Sequence, residues 1–201
     1  STVVGCIVLA GGTSRRHGGA DKTRLVLGGS TVLDTLLGRL PAAWPVVVVG
    51  EERPTNRTVS WTREAPGYGG PLAGIAAGLV ALALTTATPT ARQPLDGGIT
   101  VVVAGDMPFA GAAAAALAEA LAQAAAPLDA VMACDGDGRD QPLLAAYRTD
   151  RLRAAIPADP QGKAVRPVLR TLTALAMPVD ERSLLDIDTP EALARARRLA
   201  P

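Results

Sequence analysis

Near its start the chain reads VVGCIVLAGGTSRRHGGADK, residues 3–22. The run from Val3 to Leu9 is apolar or small throughout, without the polar and apolar alternation of a strand that has one solvent-facing side. Such a run is typical of a strand buried on both faces of a parallel sheet. Glycines and cations follow it at once, and this order predicts a buried strand that ends in a ligand-binding loop.

Three further runs have the same unalternating apolar pattern: Val46 to Val49, Ile99 to Val103 and a weaker Ala130 to Ala133. Between the runs, apolar residues recur at helical spacing, after Ser30 and Thr31 up to Leu40, from Leu72 to Leu82, and at Leu117 and Leu121. Strands that alternate with helices predict an α/β fold of βαβ units. We expect one domain over residues 1–201, with three layers and a mostly parallel sheet.

The composition indicates a globular protein and argues against a nucleic-acid module. Of the 201 residues, 48% are hydrophobic and 19% are charged, which is too apolar for disorder. Twenty Lys and Arg against 19 Asp and Glu leave a net charge of +1, without the positive field that binds a phosphate backbone. Aromatic residues make up only 2%, so platforms for stacking bases are not expected.

Cysteine usage and hydropathy favour a cytoplasmic protein without a membrane span. Cys6 and Cys134 form no CxxC or Cys/His cluster, which fits a reducing compartment and excludes structural zinc. The longest apolar helix candidate, Leu72 to Leu84, is shorter than the ~20 residues that a bilayer requires. The stretch Thr85 to Gly98 is rich in Thr, Pro, Gly and Ala without periodicity, and predicts a mobile surface loop.

The glycine-rich stretch after the first strand is a candidate phosphate loop. Glycines let backbone amides approach a phosphate, and Arg16 and Lys22 supply positive charge. It is not a Walker A loop, because Asp21 rather than glycine precedes Lys22, and it is not GxGxxG. Two alternatives remain from these residues alone: a phosphate loop, or a surface loop whose glycines make turns.

Carboxylates follow the third strand and recur near the end of the chain. Asp106 at the end of an apolar strand suits Mg²⁺, which takes one or two carboxylates plus substrate phosphates; the alternative is a turn cap before Pro108. Asp186 and Asp188 precede a helix that Asp188 or Thr189 would cap, and they are either caps or residues at the edge of the active site.

The stretch DGDGRDQP, residues 135–142, begins like a calcium loop but lacks its third ligand and its final Glu, which excludes an EF-hand. It predicts a turn between two strands, with Pro142 to Tyr147 as the returning strand. Because this turn follows a strand end, Arg139 and Gln141 are candidates for binding a second substrate.

Four motifs in order resemble the molybdenum cofactor guanylyltransferases, a MobA-like family of NTP transferases with a glycosyltransferase-A-like Rossmann sheet. They are LAGGTSRRHGGADK at residues 9–22, GGPLAG at 69–74, GDMP at 105–108 and DIDTPE at 186–191. The chain has His17 where the family has Met, and His17 is expected to pack or face solvent rather than catalyse. Glu64 is the nearest match to an acidic residue that the family has before its Gly-Pro-Leu motif.

The resemblance implies a set of site residues. It assigns Gly11, Gly12 and Lys22 to the phosphates and Asp106 to Mg²⁺. We further expect Arg16 to be catalytic with Lys22 and Asp106, and the amides of Ala10, Gly11, Gly12 and Thr13 to surround the phosphates. The alternatives are a solvated loop cation for Arg16 and a salt bridge with Asp21 for Lys22. The nucleotide site would comprise Leu9, Ala10, Gly11, Gly12, Lys22, Glu64, Gly70 and Asp106.

The activity implied is transfer of GMP from GTP to the phosphate of molybdopterin or Mo-molybdopterin, with release of pyrophosphate. The alternative within the fold is a molybdopterin cytidylyltransferase, or a nucleotidyltransferase for another phosphorylated small molecule. Proteins of the molybdenum cofactor pathway are possible partners; nucleic acid and membranes are not expected ones. A non-catalytic nucleotide sensor would be favoured by loss of Lys22 or Asp106, and both are present.

Overall fold

The computed structural model describes residues 2–11, 21–64, 69–86, 95, 97–125 and 127–201. The strands are β1 (Val4–Leu9), β2 (Val26–Leu27), β3 (Ser30–Thr31), β4 (Val46–Val49), β5 (Ser60–Thr62), β6 (Ile99–Ala104), β7 (Ala130–Cys134), β8 (Asp140–Arg148) and β9 (Ala174–Pro178). The helices are α1 (Val32–Arg39), α2 (Pro71–Thr86), α3 (Gly111–Gln123), α4 (Thr149–Ala155), α5 (Val165–Leu169), α6 (Glu181–Leu184) and α7 (Pro190–Leu199).

A seven-stranded sheet of order β5-β4-β1-β6-β8-β7-β9 forms the centre of the fold. Strands β5, β4, β1 and β6 are parallel neighbours, β8 is antiparallel to both β6 and β7, and β9 is parallel to β7. The prediction of an α/β fold with a mostly parallel sheet is confirmed. All four apolar runs are strands, and the returning strand predicted from Pro142 to Tyr147 is β8.

Helices cover both faces of the sheet, so the fold has three layers. Along β1, Cys6 and Val8 belong to the core cluster under α1 and α3, whereas Ile7 belongs to the cluster under α2, α4 and α5. This alternation follows from the period of two in a strand, and it explains why β1 is apolar at every position. Among the described residues, no helix is long and apolar enough to cross a membrane.

Helix α2 packs closely on β1 and carries glycine on the face it turns to the sheet. A Cβ built on Gly78 would lie 2.6 Å from Cγ2 of the buried Ile7, and one on Gly74 would lie 3.1 Å from Cδ2 of Leu9. At Gly78 a side chain would require Ile7 to move, whereas the contact at Gly74 is tight but with the end of a leucine side chain.

The prediction of a surface loop from Thr85 to Gly98 is wrong at both ends. Helix α2 continues to Thr86, and the hydroxyls of Thr85 and Thr86 donate to the carbonyls of Ala81 and Leu82 at 2.9 and 3.0 Å. These bonds satisfy the threonines inside the last turn. Leu95 is 2% exposed and packs into the core. Residues 87–94 and 96 lie outside the described part of the chain.

Candidate active site

Three parallel strands end together at one edge of the sheet. The amides of Ala10 and Gly11, which follow β1, both donate to the carbonyl of Val49 at the end of β4, at 2.9 Å. The amide of Gly105, which follows β6, donates to the carbonyl of Leu9 at 2.8 Å. These bonds hold the three strand ends side by side, where a parallel sheet binds its ligands.

The same bonds correct one prediction about the loop. The amides of Ala10 and Gly11 are used by the junction of β1 and β4, so the expectation that they donate to phosphates is wrong. The residues after Gly11 remain as the source of such amides, but Gly12, Thr13, Arg16 and His17 lie outside the described residues.

A cavity of about 170 Å³ opens at this edge. It brings together seven residues that the sequence predicts for the nucleotide site: Leu9, Ala10, Gly11, Lys22, Glu64, Gly70 and Asp106. Asp21, Thr23, Val49, Pro71, Gly74, Ala104 and Leu143 complete its lining. Residues that are up to 134 positions apart in sequence, from Leu9 to Leu143, therefore line the same cavity.

The start of α2 contributes to this wall. Gly70 has a φ of 88°, a left-handed conformation that glycine adopts without strain, and its carbonyl accepts from the amide of Gly74 at 3.1 Å. Pro71 follows as the first helical residue, where its missing N–H costs no bond. The turn aims the N-terminus of a long helix, with its partial positive charge, at the cavity.

Asp106 lies at the end of β6, half-buried, between this cavity and a second one. Burial raises the pKa of its carboxyl group, the nearby Asp186 raises it further, and Lys22 acts in the opposite direction. Lys22 is therefore close enough to influence Asp106. The carboxylate of Asp21 pairs with Arg24 and Arg53 within the described residues.

Asp186 is brought to Asp106 by a backbone bond between distant segments. The amide of Ile187 donates to the carbonyl of Asp106 at 3.0 Å, and the Ile187 side chain is 2% exposed. Desolvation raises the pKa of Asp186, and the neighbouring Asp188 raises it further. The acidic pair 186/188 thus lies beside Asp106.

The cap of α7 is Thr189, whose hydroxyl accepts from the amide of Ala192 at 3.1 Å. The alternative that Asp186 and Asp188 serve as helix caps is therefore wrong. The Thr189 hydroxyl pairs with an amide that has no partner within the first turn of α7, so neither aspartate is needed as the cap. The carboxylates of Asp186 and Asp188 are therefore available at the edge of the site.

The second cavity, of about 350 Å³, lies on the other side of Asp106. It shares Ala104, Asp106 and Leu143 with the first cavity and is further lined by Met107, Gln141, Pro142, Val165, Arg166, Leu184 and Asp186. Gln141, a predicted candidate for binding the second substrate, lines this cavity. Arg139 is not in this lining; it is exposed in the turn between β7 and β8, where its amide donates to Asp135 Oδ1 at 3.0 Å.

Arg166 is a site residue that sequence reasoning misses. It comes from α5, donates to Oδ1 and to the carbonyl of Asp140, and faces the second cavity. No motif surrounds it, and only the packing of α5 against β8 brings it to the site.

The described residues fit a divalent cation held partly by substrate. They contain no group of three or more His, Cys, Asp or Glu arranged to hold a metal ion. They do contain the Asp106 and Asp186 carboxylates close together, each with a raised pKa. Two hard oxygen ligands that gain from a nearby positive charge are the donor set that Mg²⁺ takes when phosphates complete its shell.

Parallel strand ends beside a helix N-terminus, with a lysine and an aspartate in the same cavity, are typical of nucleotide-binding α/β proteins. Residues 6–176 match the model of the MobA-like NTP transferase domain, and the chain belongs to this family of nucleotidyltransferases. It is 32% identical to a molybdenum cofactor guanylyltransferase of Bradyrhizobium sp. (strain ORS 278), over 100% of this chain and 94% of the relative. It is also 32% identical to one of Rhodopseudomonas palustris (strain HaA2), over 96% and 91% of the two chains.

Solved structures show the same fold. Molybdopterin-guanine dinucleotide biosynthesis protein A from Archaeoglobus fulgidus superposes with a TM-score of 0.68 at 25% identity, covering 96% of this chain and 97% of that one. A 4-diphosphocytidyl-2C-methyl-D-erythritol synthase superposes with a TM-score of 0.69 at 15% identity, over 99% of both chains, and is similar in fold alone.

Proposed function

We propose that this protein transfers GMP from GTP to the phosphate of molybdopterin or Mo-molybdopterin and releases pyrophosphate. The observation that carries the proposal is the place of Asp106 between two adjoining cavities, one beside Lys22 and the start of α2, the other beside Arg166. Two substrates could meet at one carboxylate in such a site. The family membership and the relatives' names support the nucleotide and the acceptor.

On the nucleotide side, Lys22 and Arg16 would neutralise the charge that builds up on the triphosphate as pyrophosphate leaves. In phosphoryl transfer of this kind, side chains need not form covalent bonds to the substrate. Most of the rate enhancement comes from positioning the reactants and from electrostatic stabilisation. The amides after Gly11 and the N-terminus of α2 would bind the phosphates, because glycine-rich loops and helix N-termini are where proteins commonly place N–H groups against an anion.

On the acceptor side, a phosphate monoester is already largely ionised at neutral pH, because its second pKa is ~6. A dedicated general base is therefore dispensable. Arg166 would orient the acceptor phosphate, because a guanidinium matches phosphate oxygens with two parallel donors, and Gln141 would donate to other acceptor oxygens.

Mg²⁺ would be held by Asp106, with Asp186 beside it. When bound, the ion supplies positive charge to phosphate oxygens as a Lewis acid. The two carboxylates would supply the protein's oxygen ligands to the ion.

Glu64 would select the base. It follows β5 and lines the nucleotide cavity. A carboxylate there can accept from the N1 and N2 donors of guanine or approach the ribose. Cytosine and adenine would leave buried polar groups unpaired, at ~1 to 3 kcal/mol for each group.

The test is pyrophosphate release from GTP, CTP or ATP with Mg²⁺ and molybdopterin. We expect kcat/KM for GTP to exceed that for CTP by roughly a hundredfold, which two unpaired groups would produce. Glu64→Gln should narrow this ratio, whereas Glu52→Gln, at an exposed glutamate outside the cavity, should not. Equal use of CTP would make the protein a cytidylyltransferase instead.

A further inference from the structure

Lys22 lies in a short turn whose other residues are tightly bonded. Residues Lys22–Arg24 form a single 3-10 turn, and the carboxylate of Asp21 caps it by accepting from the amide of Thr23 at 3.0 Å. The same oxygen accepts from the Thr23 hydroxyl at 2.6 Å. Thr23 is 5% exposed. The two neighbours of Lys22 are therefore joined to each other across it.

Arg53 holds both of these neighbours at once. Its Nη1 donates to Oδ2 of Asp21 at 3.3 Å, and its Nη2 donates to the hydroxyl of Thr23. Arg53 follows β4 and is about thirty positions further along the chain than the turn, so it ties the turn to the sheet edge rather than to a local neighbour.

The Arg53 side chain is enclosed behind the turn. It is 10% exposed, and its guanidinium lies over the Trp61 ring of β5, 5.8 Å from the ring centre. Asp21, Lys22 and Thr23 all line the nucleotide cavity, but Arg53 is not in that lining. It touches the residues on either side of Lys22 and reaches the cavity only through them.

We propose that Arg53 is a positioning residue that holds Lys22 at the triphosphate by clamping Asp21 and Thr23. The inference rests on the proposed function, because it takes Lys22 to bind the leaving phosphates. A lysine carries its charge on a flexible stem, so the position of its backbone decides where that charge can reach. A guanidinium presents donors in a fixed fork and can hold two acceptors together, whereas an ammonium group in the same place cannot keep that geometry.

Arg24 provides a matched control for charge. It pairs with the same Asp21 carboxylate, with Nε at 3.4 Å from Oδ2, but its side chain is 46% exposed and it makes no bond to Thr23 among the described contacts. Replacing the guanidinium group of Arg24 changes a solvent-exposed ion pair. Replacing the guanidinium group of Arg53 removes the contacts that hold the 3-10 turn.

The experiment is a double-mutant cycle on kcat/KM for GTP, with GTP dissociation constants and melting temperatures measured alongside. We expect Arg53→Lys to lower kcat/KM by about tenfold or more when Lys22 is present, since small misplacement of a positioned group can cost on the order of a hundredfold. In a Lys22→Ala background the same change should cost less than about twofold, because coupled residues are not additive. Arg24→Lys should cost less than about twofold in both backgrounds.

A second pair of variants keeps the test independent of whether Arg53→Lys folds. Thr23→Val removes the hydroxyl that Arg53 holds and keeps the volume, and should show the same Lys22-dependent loss. Thr23→Ser keeps the hydroxyl and should recover most of the kcat/KM that Thr23→Val loses.

The outcomes separate the two proposals. An Arg53→Lys or Thr23→Val loss of equal size with and without Lys22 means a general structural role and overturns the clamp alone. Wild-type kcat/KM in Arg53→Lys does the same. Wild-type kcat/KM and GTP affinity in Lys22→Ala overturn both the clamp and the role of Lys22 in the proposed function.

Discussion

The carboxyl group of Asp106 is held where its charged form is disfavoured. Its pKa is raised chiefly by burial and then by Asp186, and Lys22 offsets only part of this. A carboxyl group whose pKa is higher in the folded chain than in the unfolded chain destabilises the fold once it is ionised. Sites that handle charged substrates commonly keep such residues, because the ligand supplies the missing opposite charge.

We predict that Asp106→Asn raises the melting temperature at pH 7 without divalent metal, by roughly 2–4 °C if about 1 kcal/mol is recovered. The gain should shrink as the pH falls, and should vanish below about pH 3.9, the usual Asp pKa, where both states of the wild type are protonated. Thermal melts between pH 3 and 8 in EDTA measure it.

The same variant should lose metal-dependent turnover by roughly a hundredfold or more, as the loss of one preorganised electrostatic group does elsewhere. Added Mg²⁺ with GTP should stabilise the wild type more than Asp106→Asn. Equal Mg²⁺ titrations of turnover for the two proteins would contradict the metal assignment.

Single residues can be predicted from the sequence when their function depends on the segment around them. Residues that act through partners far away in the sequence cannot. Asp106 and Lys22 are recognisable because each follows a strand end or a glycine-rich stretch directly. Arg53 and Arg166 are not, because Asp21 and Asp140, their partners, lie 32 and 26 positions away and are brought near only by the sheet.

Among the elements, α2 shows how a helix is fitted to a sheet. Its glycines give up helix propensity, about 1 kcal/mol each relative to alanine, and gain a close approach to β1. Gly78 faces Ile7, where a Cβ would lie 2.6, 3.0 and 3.1 Å from three atoms of that buried, branched side chain. A β-branched residue in a packed strand has little freedom to move aside.

We predict that Gly78→Ala destabilises the protein by about 1–2 kcal/mol, because overpacking of ~1–3 kcal/mol exceeds the gain in helix propensity. Gly38→Ala in α1 is the matched control. Gly38 is exposed with nothing within 4 Å of a built Cβ, so alanine there should stabilise by up to about 1 kcal/mol. Urea unfolding of both variants measures the difference, and a stabilised Gly78→Ala would show that β1 and α2 can separate freely.

Elements with a strong apolar pattern are predictable, and short ones at the margins are not. Strands β1, β4, β6 and β7 are buried on both faces, so each of them is a nearly unbroken run of apolar residues in the sequence. Strand β9 at the sheet edge has exposed residues at four of its five positions, so burial does not require an apolar run there. The end of α2 is missed because threonine has weak helix propensity, and its hydroxyl bonds to carbonyls one turn back are not visible in a composition.

Across the whole molecule, the antiparallel strand β8 divides the active-site edge into two parts. The half that contains β1, β4 and β6 is parallel and carries the nucleotide cavity at its strand ends. Beyond β6, β8 runs the other way and begins at this edge, so Gln141 and Pro142 at its start line the second cavity with Arg166. A sequence pattern predicts the strands but not this order of neighbours, because pairing is decided by the packing of the complete sheet.

This division predicts that the two substrates depend on different positively charged side chains. Lys22→Ala should weaken GTP binding, with little effect on the KM for molybdopterin, because Lys22 lines the nucleotide cavity and is not in the lining of the second one. Arg166→Ala should raise the KM for molybdopterin by about tenfold or more, since a hydrogen bond to a charged group contributes ~1.5–3 kcal/mol, and should leave the GTP dissociation constant within about twofold.

Arg170 is the control for Arg166, because it follows the same short helix but lines neither of the two cavities that include Asp106. It lines a neighbouring cavity that Arg166 and Pro142 also reach. Arg170→Ala should change neither constant by more than about twofold. Steady-state kinetics with each substrate varied in turn, together with calorimetric GTP titrations, measure all of these quantities. If Arg166→Ala weakened GTP and molybdopterin equally, the second cavity would belong to the nucleotide, and the acceptor would have to enter the site from another side of Asp106.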